Sequence, residues 1–164
     1  GIENPVGIKI GPQTTTSSIK KLVNKLNPNN KAGKLMLITR FGAKKIEKLL
    51  PDLIKAVQDT GKQVIWSSDP MHGNTINTKK GGKTRNFDDI CNEASLALEL
   101  HTRHGSHLGG VHLELTGDDV TECIGGARAL DETDLERAFK SLVDPRLNYE
   151  QSIEIAFQIC KQYK

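Results

Sequence analysis

Three short apolar runs, Val6-Gly7-Ile8-Lys9-Ile10, Lys34 to Thr39 and Gln63 to Ser67, begin about 28 residues apart. Such an interval holds one strand, one helix and two short loops. A chain that repeats it lays its strands side by side in parallel, because each crossover helix returns it to the same end of the sheet. A fourth run, Gly110 to Leu115, follows after a longer interval. The expected class is therefore α/β, parallel strands with helices outside them.

The intervening segments carry helical periodicity. Ser17 or Ser18 is placed to cap a helix through Leu26, with Ile19, Leu22, Val23 and Leu26 on one face. Ala43 to Thr60 carries a second stripe closed by Gly61, and Pro51 inside it predicts a kink or two abutting helices. Phe87 to Arg103, stopped by Gly105, is a third; Thr133 to Val143 and Tyr149 to Tyr163 are expected to complete the set. No linker, repeat array or low-complexity tract divides the chain, so residues 1–164 read as one segment.

Composition removes several function classes. Of 164 residues, 36% are hydrophobic, enough for a core, yet no run approaches the about 18 consecutive apolar residues of a membrane-spanning helix. The net charge of +3 comes without Lys/Arg blocks, and aromatics are 4% of the chain, which leaves little for nucleic-acid binding. Cys91, Cys123 and Cys160 lie far apart, forming neither a CxxC clamp nor a disulfide framework, and fit a reducing compartment. The chain opens Gly-Ile-Glu-Asn-Pro, without an initiator Met or an apolar signal segment. The expectation is a trimmed start or the back part of something longer.

The reactive side chains fall at the strand ends. Lys9 lies in the first run just before Gly11-Pro12, and Arg40 ends the second. Asp69-Pro70-Met71-His72-Gly73 follows the third, and Glu114 lies near the end of the fourth. In a parallel α/β protein these ends open on one face, where loops jointly build a site. A carboxylate inside Val111-His112-Leu113-Glu114-Leu115 would be buried, and so needs a cation or a metal. Asp144, in Val143-Asp144-Pro145-Arg146-Leu147, taken alone reads as a turn residue. With His72 and Glu114 it makes a set suited to Mn²⁺, Co²⁺ or Zn²⁺. Lys9 and Arg40 serve either an internal salt bridge, for instance to Glu114, or an anionic substrate bearing phosphate or carboxylate. His101, His104 and His107 straddle the Gly105 stop and read as solvated residues favoured by a helix C-terminus. His112 is expected on the strand face of Glu114, where it could support that residue. Lys79 to Arg85 lacks the spacing of a phosphate loop and reads as an exposed loop or mobile lid.

Several ordered motifs resemble one family. They are Leu37 to Ala43 (LITRFGA), Trp66 with Asp69 to Thr75 (DPMHGNT), Lys83-Thr84-Arg85, Gly109 to Gly117 (GGVHLELTG), Val120 to Gly126 (VTECIGG) and Asp144 to Asn148 (DPRLN). Together they resemble the type II 3-deoxy-D-arabino-heptulosonate 7-phosphate (DAHP) synthases. The resemblance implies a TIM (β/α)8 barrel that condenses phosphoenolpyruvate with erythrose 4-phosphate, opening the shikimate pathway, with a divalent metal. Mn²⁺ is the first expectation for that metal, with Co²⁺, Zn²⁺ or Fe²⁺ as alternatives. It implies His72, Glu114 and Asp144 as metal ligands, and Lys9 (in GIKIGP) and Arg40 (in TRFG) as ligands of phosphoenolpyruvate.

The resemblance also implies a deficit. A whole barrel takes about 250 residues, and four strand-helix units correspond to its second half. The family's fourth metal ligand, a cysteine on the first strand, and a Glu-Arg pair that helps bind phosphoenolpyruvate have no counterpart here. None of Cys91, Cys123 or Cys160 stands in a matching context. A half barrel leaves sheet flanks and apolar inner surface uncovered. The implied partner is an N-terminal half, from another chain or a removed segment, or a second copy of this chain. The competing expectation is a non-catalytic structural or interaction subunit derived from a half barrel. The implied compartment is the cytoplasm, or the plastid for a plant-like source.

Overall fold

The computed structural model describes residues 3–162. In chain order the elements are β1 (Val6–Ile10), α1 (Thr16–Leu26), β2 (Leu35–Thr39), α2 (Ile46–Gln58), β3 (Ile65–Ser68), β4 (Thr75–Asn77), β5 (Lys83–Arg85), α3 (Phe87–Arg103), β6 (Leu108–Val111) and α4 (Tyr149–Gln162). Four strands form one sheet in the order β1-β2-β3-β6, every neighbouring pair parallel. The short β4 and β5 pair antiparallel as a separate hairpin inserted between β3 and α3. Strand, crossover helix and parallel strand thus recur as the apolar spacing requires, and the result is the architecture of part of a TIM barrel.

Alternation along the strands separates two faces. Leu35, Leu37 and Thr39 of β2 are buried, and the first two join Ile19, Val23, Ile46, Leu50, Ile54, Ala97 and Leu100 in a core between sheet and helices. Met36 and Ile38 point the other way and stay half-buried, in register with Gly7 and Lys9 of β1. A second cluster, with Met71, Phe87, Ile90, Cys123, Leu147 and Ile155, lies under the loops that follow β3 and β6. No helix of the described residues is long and apolar enough to cross a membrane.

The first three strands lie within two residues of the sequence expectation, and four elements depart from it. The N-cap of α1 is Thr15 rather than a serine: Ser18 N donates to Thr15 Oγ1 at 3.1 Å while Thr15 N donates to Ser18 Oγ at 2.9 Å, a reciprocal box. Helix α2 runs as one element through Pro51, so of the expected kink or two abutting helices the second does not form. The proline removes a single N–H there, and Leu50, Leu53 and Ile54 keep the helix seated in the core. The fourth strand is β6, shifted toward the N-terminus. Its ladder ends where His112 N donates to Ser68 O, and the chain then pairs Leu115 with Leu147. The expected helix from Thr133 to Val143 is only a one-turn 3₁₀ segment, Asp134–Glu136. Its N–H groups go elsewhere: Lys140 and Ser141 donate to the buried Glu122, and Ala138 to Thr121 Oγ1. The end of the last expected helix, at Tyr163, lies outside the described residues.

Candidate metal centre

The site forms where the sheet ladder runs past its named strands. Arg40 N donates to Ile10 O and Asp69 N to Thr39 O. Arg40, Asp69 and His112 therefore stand side by side just beyond β2, β3 and β6, with Lys9 of β1 two residues back, in register with Ile38.

Asp69 organises this row. It is fully buried, and its Oδ1 accepts from the backbone N–H groups of Met71 and His72 at 3.1 Å each, the start of a tight turn. The His72 Nδ1 lies 2.8 Å from Asp69 Oδ2, and Lys9 closes an ion pair on that same oxygen. Burial alone would raise the Asp69 pKa, but the hydrogen bonds from Lys9 and His72 outweigh it and hold the carboxyl below its usual value. With Nδ1 engaged by Asp69, the ring turns its Nε2 away from that carboxylate and toward Glu114 and Asp144.

Two carboxylates meet that nitrogen. Glu114 Oε1 lies 3.5 Å and Asp144 Oδ2 3.9 Å from His72 Nε2. Ligand atoms of all three residues fall within 4.8 Å of one another, and this is the one such group of His, Cys, Asp and Glu among the described residues. The other oxygen of each carboxylate is already occupied, Glu114 Oε2 by Arg85 Nη1 at 2.6 Å and Asp144 Oδ1 by Lys83 Nζ at 2.9 Å. The Lys83 ammonium holds the Asp144 carboxyl below the normal carboxylate range. What faces the centre is therefore one imidazole nitrogen and two carboxylate oxygens, a donor set that fits a divalent ion of borderline hardness.

The loops are fixed from behind. Arg85 is completely buried; it joins Glu114 to Pro145 O, next to Asp144, and its Nε donates to Thr75 Oγ1 at 2.9 Å. Leu147 N donates to Glu114 O at 3.0 Å, which ties the two carboxylate loops together through backbone. Glu122, also buried, accepts from Lys140 N, Ser141 N and Arg146 N and pairs with the Arg146 side chain, shaping the loop that carries Asp144. Beside this cluster, Arg40 Nη2 donates to His72 O at 3.2 Å while its buried Nε has no partner. Lys9 keeps 39% of its side chain exposed.

All five predicted residues thus gather at one end of the sheet, but some surroundings differ from expectation. Lys9 pairs with Asp69, not Glu114. Glu114 lies past β6 rather than inside a buried strand, with 30% of its side chain exposed, and its cation is Arg85. Lys79 to Gly82 is an exposed turn as expected, but Lys83 to Arg85 is strand β5, with Thr84 buried on Glu122 O and Arg85 on Glu114 and Pro145 O. His101 is not solvated: it is buried against Trp66, ring centroids 5.1 Å apart, with Nδ1 2.8 Å from Ser106 Oγ. His104 and His107 are exposed as expected. His112 is exposed too, its ring centroid 6.4 Å from that of His72. Sequence reasoning missed Asp69, Arg85, Glu93 and Glu122. A charged residue on an otherwise apolar helix stripe, as Glu93 is between Ile90 and Ala97, was the available signal for one of them.

Fold and site together define a class: a TIM-barrel segment whose strand-end loops converge on a His-plus-two-carboxylate cluster flanked by cations. Within that class the chain belongs to the class-II DAHP synthetase family, whose model it matches over residues 1–160. It is 49% identical over 166 residues to a phospho-2-dehydro-3-deoxyheptonate aldolase of Neurospora crassa, covering 100% of this chain and 34% of that protein. Proteins of the same name from Mycolicibacterium smegmatis and Streptomyces coelicolor are 47% and 45% identical, each over 163 residues and 99% of this chain. The chain spans about a third of the length of these relatives (34%, 35% and 36%). The family uses a divalent metal, and His72, Glu114 and Asp144 are the residues here able to hold one.

Proposed function

We propose that this chain carries the metal ligands and the phosphoenolpyruvate-binding cations of a DAHP synthase, which joins phosphoenolpyruvate to erythrose 4-phosphate. The observation that carries this reading is the convergence of His72 Nε2 with one oxygen each of Glu114 and Asp144, beside Lys9 and Arg40. Residues 1–164 act as the C-terminal half of the catalytic barrel. The other half, from further sequence or from a partner chain, completes the substrate site.

When bound, a divalent ion, Mn²⁺ foremost, supplies Lewis acidity toward the aldehyde oxygen of erythrose 4-phosphate. Asp69 holds the His72 proton on Nδ1 and so keeps Nε2 available as a ligand. Arg40 offers its unpartnered Nε–H to an anionic group of phosphoenolpyruvate. Lys9, an ammonium with three donors of which Asp69 takes one, adds a second positive contact. Together they neutralise the enol phosphate and hold its C3 in line with the aldehyde carbon, so positioning and charge compensation are the contributions of this chain.

The test is consumption of phosphoenolpyruvate by the complete protein. It should require erythrose 4-phosphate and Mn²⁺, stop with a chelator, and fall by more than about a hundredfold in His72→Ala. Full activity in His72→Ala, or no consumption by the Mn²⁺-loaded protein, would refute the reading.

A further inference from the structure

Glu93 lies midway along α3, is fully buried, and hydrogen-bonds not to the five site residues but to their neighbours. Its Oε1 accepts from Phe41 N at 2.8 Å and Gly42 N at 3.0 Å, and its Oε2 accepts from Asn74 Nδ2 at 2.8 Å. Asn74 passes the connection on: its Oδ1 accepts from Ala43 N at 2.9 Å, and its Nδ2 donates to Pro70 O at 2.9 Å. Phe41 and Gly42 directly follow Arg40, and Asn74 stands two residues after His72. One carboxylate therefore grips both the loop bearing the anion-binding guanidinium and the loop bearing the imidazole.

These loops have no slack of their own. A Cβ at Gly73 would stand 2.3 Å from Gly42 N, and one at Gly42, whose φ is +85°, 2.7 Å from Gly73 O. The backbones touch directly, and Arg40 Nη2 donates to His72 O across the same seam. The clamp needs a carboxylate, since both oxygens must accept at once, whereas an amide would turn an NH₂ toward the Asn74 NH₂ or toward the two backbone N–H groups. An isolated buried carboxylate is costly, and apolar side chains often replace buried ionic groups without loss of stability. Burial pushes the Glu93 carboxyl up to about 7, against the hydrogen bonds from Phe41, Gly42 and Asn74. Besides satisfying the Phe41 and Gly42 N–H groups, this carboxylate couples two loops that each carry a site residue.

We propose that Glu93 is a positioning residue that fixes the Arg40 guanidinium relative to the His72 imidazole by clamping the β2 and β3 loops together. The proposal rests on the metal and anion roles given above to His72 and Arg40. Hydrogen-bonded partners of metal ligands are typically worth about 10–100-fold in affinity, and Glu93 acts one link further out, so about tenfold is expected.

The experiment uses the complete protein with Glu93→Gln, measuring the Mn²⁺ dissociation constant by calorimetry, the KM for phosphoenolpyruvate, and Tm. Both constants should rise about tenfold. Leu100→Ala, a cavity variant in the core of the same helix, should lower Tm and move neither constant. Both constants staying within about twofold in Glu93→Gln, or shifting equally in Leu100→Ala at equal loss of Tm, would overturn the proposal. Should Glu93→Gln not fold, Asn74→Ala decides, because it leaves Glu93 on Phe41 N and Gly42 N and cuts its link to the His72 loop, together with the bonds of Asn74 to Ala43 N and Pro70 O: a raised Mn²⁺ dissociation constant supports the clamp and an unchanged one refutes it. His72→Ala separates the levels. If it leaves Mn²⁺ affinity unchanged, the reading of the site fails; if it abolishes binding while Glu93→Gln alters nothing, only the clamp fails.

Discussion

Asp69 and His101 show how one neighbour decides what a side chain does. Asp69 is buried with an ammonium, an imidazole and two backbone N–H groups as donors, so it stays ionised and directs His72. His101 is buried with a hydroxyl and an indole, so it stays neutral. Burial, helped by repulsion from His107 and His104, pushes its pKa down from 6.5 to about 4. A depressed folded pKa means that the stability tied to the neutral ring is fully present above pH 6.5 and lost as pH falls through about 4. Melting temperatures of the complete protein between pH 7 and pH 4 should therefore fall more steeply in the parent than in His101→Phe; parallel slopes would contradict this. Lys9, Arg40, His72 and Glu114 were legible from sequence because strand ends on one side of a parallel sheet share a face, whereas Asp144 alone read as a turn residue and was singled out by its company and by the family resemblance. Asp69, Arg85 and Glu122 were not, because nothing local distinguishes a buried charge with its partners from a solvated turn residue. Apart from the Asp69 bonds to Met71 and His72 in its own turn, their partners lie 10 to 60 positions away, as in Arg85 with Thr75 and Pro145, or Lys9 with Asp69.

Among the elements, those whose packing follows their own periodicity matched the sequence, and those shaped by a distant polar group did not. The apolar stripes of α1, α2 and α3 each dictate a helix by themselves. The 133–143 segment has some of the same pattern, but Glu122 and Thr121 take the N–H groups that a helix would use internally. The hairpin of β4 and β5 escaped notice because its three-residue strands are too short to show alternation. The β2 and β3 loops depend on two glycines at their seam. Gly73→Ala must drive its Cβ against the Gly42 backbone, and urea unfolding of the complete protein should show a loss of about 2–4 kcal/mol. A variant as stable as the parent would mean that the loops are not interlocked.

Over the whole molecule, the sheet and helices leave surfaces that suit a half barrel. Among the described residues β1 has no strand beyond it, and Met36 and Ile38 are half-covered on the face away from the helices. Tyr149, Ile153 and Phe157 form an exposed apolar row on α4. In the proposed barrel the remaining strands and helices cover these surfaces, and the strand-end cluster becomes the floor of a closed site. The central claim is that this cluster holds the metal. Anomalous diffraction from crystals of the complete protein grown with Mn²⁺ tests it most directly. The account predicts a single strong peak bounded by His72 Nε2, a Glu114 oxygen and an Asp144 oxygen; a Mn²⁺ peak elsewhere, with these three atoms unligated, would contradict it.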